Sequence, residues 1–388
     1  MSSIHWSRLI VSLVLTSMIS LAVAHRAGWL RLTSPWGGPT APENVQEAVA
    51  LAYLYDNRSG WRMNPHTQIH RRIGDSDIRH STNSDGFLDR EHYLHTSYYR
   101  IAFVGDSWVE AQQVPETSRF SNLTEDFVYS LSGGSHAVEI MNCGVSNLGT
   151  AHEYGIIKHW LLKYRPDEVW VFFSARTDLA DNSPLATNPP AGPTYVHEAG
   201  SDSRLADIQF GYVQPPAVMN AERTRRYGAL LNSYQSFHLE VLPYFYSTVP
   251  NPVLDEALAW TFQSFQLIRD VLAANQAQLR VVYLPADFEV IPLRWENYRG
   301  QCCDSSRAHL QAEPSRGEQR VAEMMEKLRV PFISLRSLIL EKGPESLYAD
   351  HLTTAGHAEI ARMLAQRILD NRLAETNISV RRPVQNRR

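Results

Sequence analysis

The chain has 388 residues, 44% of them hydrophobic and 20% charged, with a formal net charge of −4. That apolar share excludes a disordered chain and suits a large globular domain with extensions, and the slightly acidic balance leaves no basic footprint for nucleic acid. The three cysteines, Cys143, Cys302 and Cys303, allow at most one bridge and have no zinc-ligand spacing with histidine, so they fit neither a disulfide framework nor a metal cage; no cofactor is expected.

Residues 1–24 stand apart: Arg8 precedes an uncharged apolar run over residues 9–24 that ends Ala22-Val23-Ala24. A basic start, an apolar middle and an Ala-x-Ala end describe a secretory signal peptide, and uncleaved the same run would anchor the chain to a membrane. Both readings predict an exported protein, periplasmic or extracellular. Residues 25–95 read as an N-terminal extension, with an amphipathic helix expected over Glu43–Tyr55 and a turn at Asn83-Ser-Asp-Gly-Phe87.

Ile101–Val104 are β-formers and predict a buried strand, broken by Gly105-Asp106-Ser107. Phe120, Leu123, Phe127, Val128 and Leu131 then recur at helical spacing. Val138–Asn142 reads as the second strand, with a turn-rich loop at Gly144-Val-Ser-Asn147. Thr150-Ala-His-Glu153 matches a capping box and starts a helix. Glu168–Phe173, Leu279–Leu284 and Pro331–Leu335 supply three more strands, and helices are expected over Leu254–Ala277, Glu318–Leu328 and Ala358–Asp370. Residues 183–216 and 286–314 read as irregular insertions, and 377–388 as a basic tail. Strands alternating with helices predict a three-layer α/β/α domain over 96–376, with a doubly wound parallel five-stranded sheet.

Polar loops follow several of these strands, around Ser107, Asn147 and Thr177, and a further one carries His351. In a doubly wound sheet such loops converge on one crevice. A serine hydroxyl is a weak nucleophile without a base in reach; His351 could take its proton, and Asp350 is the nearest acid to orient the imidazole. Backbone N–H groups at Ser107 and in the second loop could hold an oxyanion.

In the order and spacing of Val104-Gly-Asp-Ser107, Asn142-Cys-Gly-Val-Ser146, Pro166-Asp-Glu-Val-Trp-Val-Phe and His351-Leu-Thr-Thr-Ala-Gly356, with Asn83–Phe87 upstream, the sequence resembles the SGNH hydrolases, also called GDSL esterases and lipases. The resemblance runs from about Asn83 to the terminal helix. It implies a flavodoxin-like fold, Ser107 as nucleophile, His351 as general base, and a carboxylic or carbohydrate ester as substrate. It also marks three departures. Asn147, or on a rival alignment Gly144, stands at the oxyanion glycine; Thr177 stands where an asparagine side chain completes the oxyanion hole; and the acid Asp350 adjoins His351, with Tyr348 at the position the family gives to the acid. Ester hydrolysis, acyl transfer to a sugar hydroxyl and a non-catalytic scaffold on the same fold all remain open on these residues. Tryptophan and tyrosine in the two insertions favour short acyl chains on a carbohydrate over long lipid chains.

Overall fold

A computed structural model of the chain describes residues 53–73, 76–135, 138–183, 191–198, 204–212, 234–303 and 307–381. Residues 1–24, expected to be a signal peptide or anchor, and the last part of the basic tail lie outside them. No helix among the described residues is long and apolar enough to cross a membrane.

Two antiparallel hairpins come first: β1 (Tyr53–Asp56) with β2 (Gly60–Met63), and β3 (Gln68–Ile73) with β4 (Ser76–Ser81). Of the helix expected over Glu43–Tyr55, residues 43–52 lie outside the described residues, and its described end, Tyr53–Tyr55, is strand rather than helix. Gly60, at φ 85°, closes the β1–β2 turn in a conformation that glycine takes without strain. The turn at Asn83–Phe87 forms as read: Asn83 Oδ1 accepts from the N–H of Asp85 at 3.1 Å and of Phe87 at 3.0 Å.

The central sheet comprises β5 (Tyr99–Gly105), β6 (Val138–Gly144), β7 (Glu168–Phe173), β10 (Gln278–Tyr283) and β11 (Phe332–Ser334). Its strands are parallel and ordered β11-β10-β7-β5-β6. Because side chains alternate across a strand, Ile101 and Phe103 face one buried cluster while Ala102 and Val104 face the other. The first cluster is covered by α2 (Phe120–Leu131) and α7 (Thr354–Arg381) through Phe120, Val128, Ile360 and Leu364. The second lies under α3 (Thr150–Ile156), α5 (Pro252–Ala274) and α6 (Ser315–Leu328) through Ala151, Phe265, Ile268 and Met325. Helix α5 starts where Asn251 Oδ1 accepts from the N–H of Val253 at 3.0 Å, with Pro252 in the first turn.

The strand order reverses between β5 and β7, with β6 on one side and β10 on the other. That is the topological switch point at which open α/β sheets place ligands, beyond the carboxyl ends of the strands.

Three expectations about the rest of the chain are corrected. The segment 183–216 holds an antiparallel pair, β8 (Ala191–His197) and β9 (Leu205–Tyr212). The segment 286–314 is largely helical, over Asp287–Val290, Pro292–Cys302 and a 3₁₀ turn at Ala308–Leu310, with Phe288 stacked on Tyr298 at 4.4 Å. Its proline sits at the first helical turn, where the missing N–H costs nothing. Helix α3 starts at Thr150 as read, but Glu153 closes no capping box: both its carboxylate oxygens are buried without a hydrogen-bond partner. His152 takes that place, its Nδ1 accepting from the Gly149 N–H at 3.3 Å.

Candidate active site

Strand β5 ends at Gly105, and the chain turns at once into α1 (Ser107–Glu110). Asp106 caps that helix, its Oδ1 accepting from the Trp108 N–H at 2.9 Å. The tight turn requires Gly105, since a Cβ there would lie 2.5 Å from the Val109 side chain. Ser107 is thereby raised, half-buried, at the carboxyl end of β5 beside the switch point.

His351 comes from the loop before α7. Backbone pairing of Tyr348 with Leu352, together with Ala349 N–H on His351 C=O at 2.8 Å, holds that loop tight. The His351 ring lies against Trp108, centroid to centroid 4.6 Å, and Trp108 also meets Tyr348 edge-on at 5.8 Å. In this setting His351 Nε2 stands 2.9 Å from Ser107 Oγ, across 244 positions of sequence. The distance suits proton transfer between a hydroxyl and an imidazole.

The acid beside the histidine is less favourably placed. Asp350 Oδ2 lies 3.4 Å from His351 Nδ1, and the Asp350 side chain is 82% exposed. That separation is long for a charge-assisted hydrogen bond. The neighbouring His351 still holds the Asp350 carboxyl below its usual range. Tyr348 is buried and donates its hydroxyl to Pro285 C=O at 2.7 Å, away from the imidazole.

The expected oxyanion donors differ in what they offer. Neither the Ser107 nor the Asn147 backbone N–H has a partner among the described residues. Asn147 is exposed at φ 59°, the left-handed conformation that asparagine tolerates. Gly144 has a different task. Its N–H is donated to Asn142 Oδ1 at 3.1 Å, and a Cβ would lie 2.1 Å from Glu110 N. It is glycine because α1 rests on the end of β6. The Thr177 side chain, expected as an oxyanion donor, is turned elsewhere in this structure. Its hydroxyl donates to Asp106 Oδ2 at 2.6 Å, and a hydroxyl has one proton.

Behind this loop lies a group of buried acids, of which the sequence reading named only Glu153, and that as a helix cap. Asp178 accepts from Ser174 N–H at 2.8 Å and from the Thr150 hydroxyl at 3.2 Å, while Glu153 and Asp181 Oδ2 are unpaired. Burial pushes the Asp178 and Glu153 carboxyls well up, and Asp106 raises Asp178 further. Burial raises Asp106 too, opposed by the bonds from Thr177 and Trp108. No group of described side chains is arranged to hold a metal ion.

Glu110 is a second group the sequence reading passed over. It is fully buried at the end of α1 and accepts from Tyr53 Oη at 2.8 Å and from the Ser146 hydroxyl. Its only sequence signal is an acid three residues after the serine, which is equally an ordinary helical glutamate.

No family model matches the chain, and no curated protein matches it. Among solved structures, it is similar to an acetylxylan esterase of Geobacillus stearothermophilus, a catalytic mutant, at 12% identity and TM-score 0.39 over 71% of this chain and 96% of that one. It is similar to a GDSL-like lipase of Bacteroides thetaiotaomicron at 14% identity and TM-score 0.35, over 70% and 89%. It is also similar to a further acetyl xylan esterase at 14% identity and TM-score 0.36, over 70% and 98%.

Proposed function

We propose that this chain is an exported serine esterase of the SGNH type, acting on carboxylic esters, with short acyl groups on carbohydrate as the favoured class. The observation that carries this reading is the 2.9 Å contact between Ser107 Oγ and His351 Nε2 at the switch point of a doubly wound sheet. His351 Nε2 takes the hydroxyl proton as Ser107 Oγ attacks the ester carbonyl carbon. The negative charge that develops on the carbonyl oxygen is assigned to the backbone N–H groups of Ser107 and Asn147, neither of which has another partner among the described residues. His351 then returns the proton to the departing alcohol oxygen, leaving an acyl-enzyme. Water, deprotonated by the same imidazole, attacks the acyl carbon; the bond to Ser107 Oγ breaks, His351 returns the proton to that oxygen, and the acid leaves. Asp350 contributes a weak orienting charge, so the working unit is close to a serine–histidine dyad.

A fluorescent phosphonate tests the reading. Wild type is expected to be labelled and to hydrolyse 4-nitrophenyl acetate, and Ser107→Ala to do neither. Equal labelling of the two proteins would overturn the assignment. Product analysis with and without a glycan acceptor separates hydrolysis from transfer, with free acid expected as the product in both. Export rests on residues 1–24; sequencing the amino terminus of protein recovered outside the cytoplasm is expected to begin at His25.

A further inference from the structure

The loop after β6 is held from below by groups outside the serine–histidine pair. Glu110 Oε1 accepts from Tyr53 Oη at 2.8 Å, and its other oxygen accepts from the Ser146 hydroxyl. Gln112 Nε2 donates to Tyr53 Oη at 2.7 Å, so the phenol is fixed from both sides. Trp61 Nε1 donates to the Ser146 C=O at 2.9 Å, and the Trp61 ring lies 5.0 Å from that of His152 in α3. Tyr53 and Trp61 come from the β1–β2 hairpin, 54 and 46 positions before Ser107. Ser146 immediately precedes Asn147, whose left-handed backbone at φ 59° sets the direction of its N–H.

We infer that Tyr53, Trp61, Glu110 and Ser146 form a clamp that positions the Asn147 N–H for the oxyanion, making the N-terminal hairpin part of the catalytic apparatus. The inference rests on the esterase reading above. Three features support it. Glu110 is fully buried and sits on the same short helix as the nucleophile, so the carboxylate ties that helix to the oxyanion loop. The contact is close, since Gly144 lets the backbone of Val109 and Glu110 rest directly on β6. Each of the two segments it joins gives the carboxylate a hydroxyl hydrogen bond. A carboxylate that accepts from both lowers the freedom of the loop without touching substrate. These are positioning residues, and their effect belongs to the transition state, where the oxyanion exists, more than to ester binding.

The test uses the full chain and 4-nitrophenyl acetate. Tyr53→Phe and Ser146→Ala each remove one hydroxyl and no packing atom beyond it. Each is expected to lower kcat about tenfold with KM unchanged, since a small misplacement of a catalytic group is costly. The double variant is expected to be no slower than about twofold below the worse single one, because both bonds serve one carboxylate. Glu110→Gln, which keeps one acceptor oxygen, is expected to fall between wild type and Glu110→Ala. Unchanged kcat in Tyr53→Phe and Ser146→Ala, with wild type active, would overturn the clamp and leave the esterase reading standing. A fall in kcat that is matched by KM, or that multiplies in the double variant, would likewise make these bonds structural. Wild type as inactive as Ser107→Ala would overturn the esterase reading and the clamp's role with it.

Discussion

Thr177 Oγ1 donates to Asp106 Oδ2 at 2.6 Å, joining the loop after β7 to the cap of the helix that carries Ser107. The bond crosses the switch point of the sheet. It fixes the carboxylate whose other oxygen starts α1, and so fixes the direction in which Ser107 leaves the strand. Removing it leaves a buried carboxylate short of a donor. Thr177→Val, nearly the same shape, is expected to lower stability by about 1–3 kcal/mol, and Thr177→Ser to restore it, as read by thermal melting. Phosphonate labelling of Thr177→Val is expected to slow by about tenfold, short of the 10²–10³ that follows loss of a direct oxyanion donor. A loss in that larger range with normal melting would put the hydroxyl in the oxyanion hole.

Asp350 and His351 are expected to differ sharply in what they contribute. The Asp350 carboxylate is 82% exposed and 3.4 Å from Nδ1, and exposed ion pairs contribute about 0–1 kcal/mol. Asp350→Asn is therefore expected to lower kcat/KM by less than about tenfold, since one factor of ten is about 1.4 kcal/mol. His351→Ala is expected to lower it by about 10³ or more, the general base being lost. Steady-state kinetics on a small ester decides, and equal losses in the two variants would restore Asp350 as a full triad member.

Gly144 has no room for a side chain. A Cβ there would stand 2.1 Å from Glu110 N and 2.5 Å from Val109 C, both backbone atoms that cannot swing aside. Gly144→Ala is expected to cost about 3 kcal/mol or more, in the class of overpacked cores. A denaturant titration checks this, and a cost under about 1 kcal/mol would mean that α1 is free to lift from β6.

Glu289 makes stability depend on pH. It is buried between two tyrosines, with Tyr246 Oη donating at 2.7 Å and Tyr283 Oη on the other oxygen. Burial pushes its carboxyl up from 4.5 to about 7. The folded state therefore holds this proton more tightly than the unfolded chain. The stabilisation is fully present below pH 4.5 and is lost as pH rises through about 7. The difference of roughly 2.5 units corresponds to about 3 kcal/mol. Glu289→Gln is expected to remove that slope. The buried histidines His238 and His357, both lowered to about 3 chiefly by burial, act in the opposite sense. They are common to both proteins and cancel in the comparison. Parallel stability curves from pH 4 to 8 would overturn the prediction.

Much of the framework was legible because its signals are local. Ile101–Val104, Val138–Asn142 and Glu168–Phe173 are runs of β-formers bounded by turn residues, and each became a strand of the parallel sheet. The Gly-Asp-Ser turn and the spacing of Phe120 and Val128 are likewise short-range patterns, whose outcome depends little on distant residues, although Leu131, expected on the same face, is exposed. The hairpin β8–β9 and the helix Pro292–Cys302 were read as irregular because proline and polar residues obscured their periodicity. Their form is set by packing against the rest of the domain.

By itself the sequence determined the alternation of strands and helices, the serine on its strand-to-helix turn and the histidine ahead of the last helix, since each follows from residues within a turn or two of one another. Only the tertiary structure decided which groups meet. A distance of 2.9 Å between Ser107 and His351, the turning of Thr177 toward Asp106 and the reach of Tyr53 to Glu110 each join segments far apart in the chain. Side-chain hydrogen bonds depend on positions good to a fraction of an ångström, and those positions are set by how the layers pack, which no local pattern of residue types records.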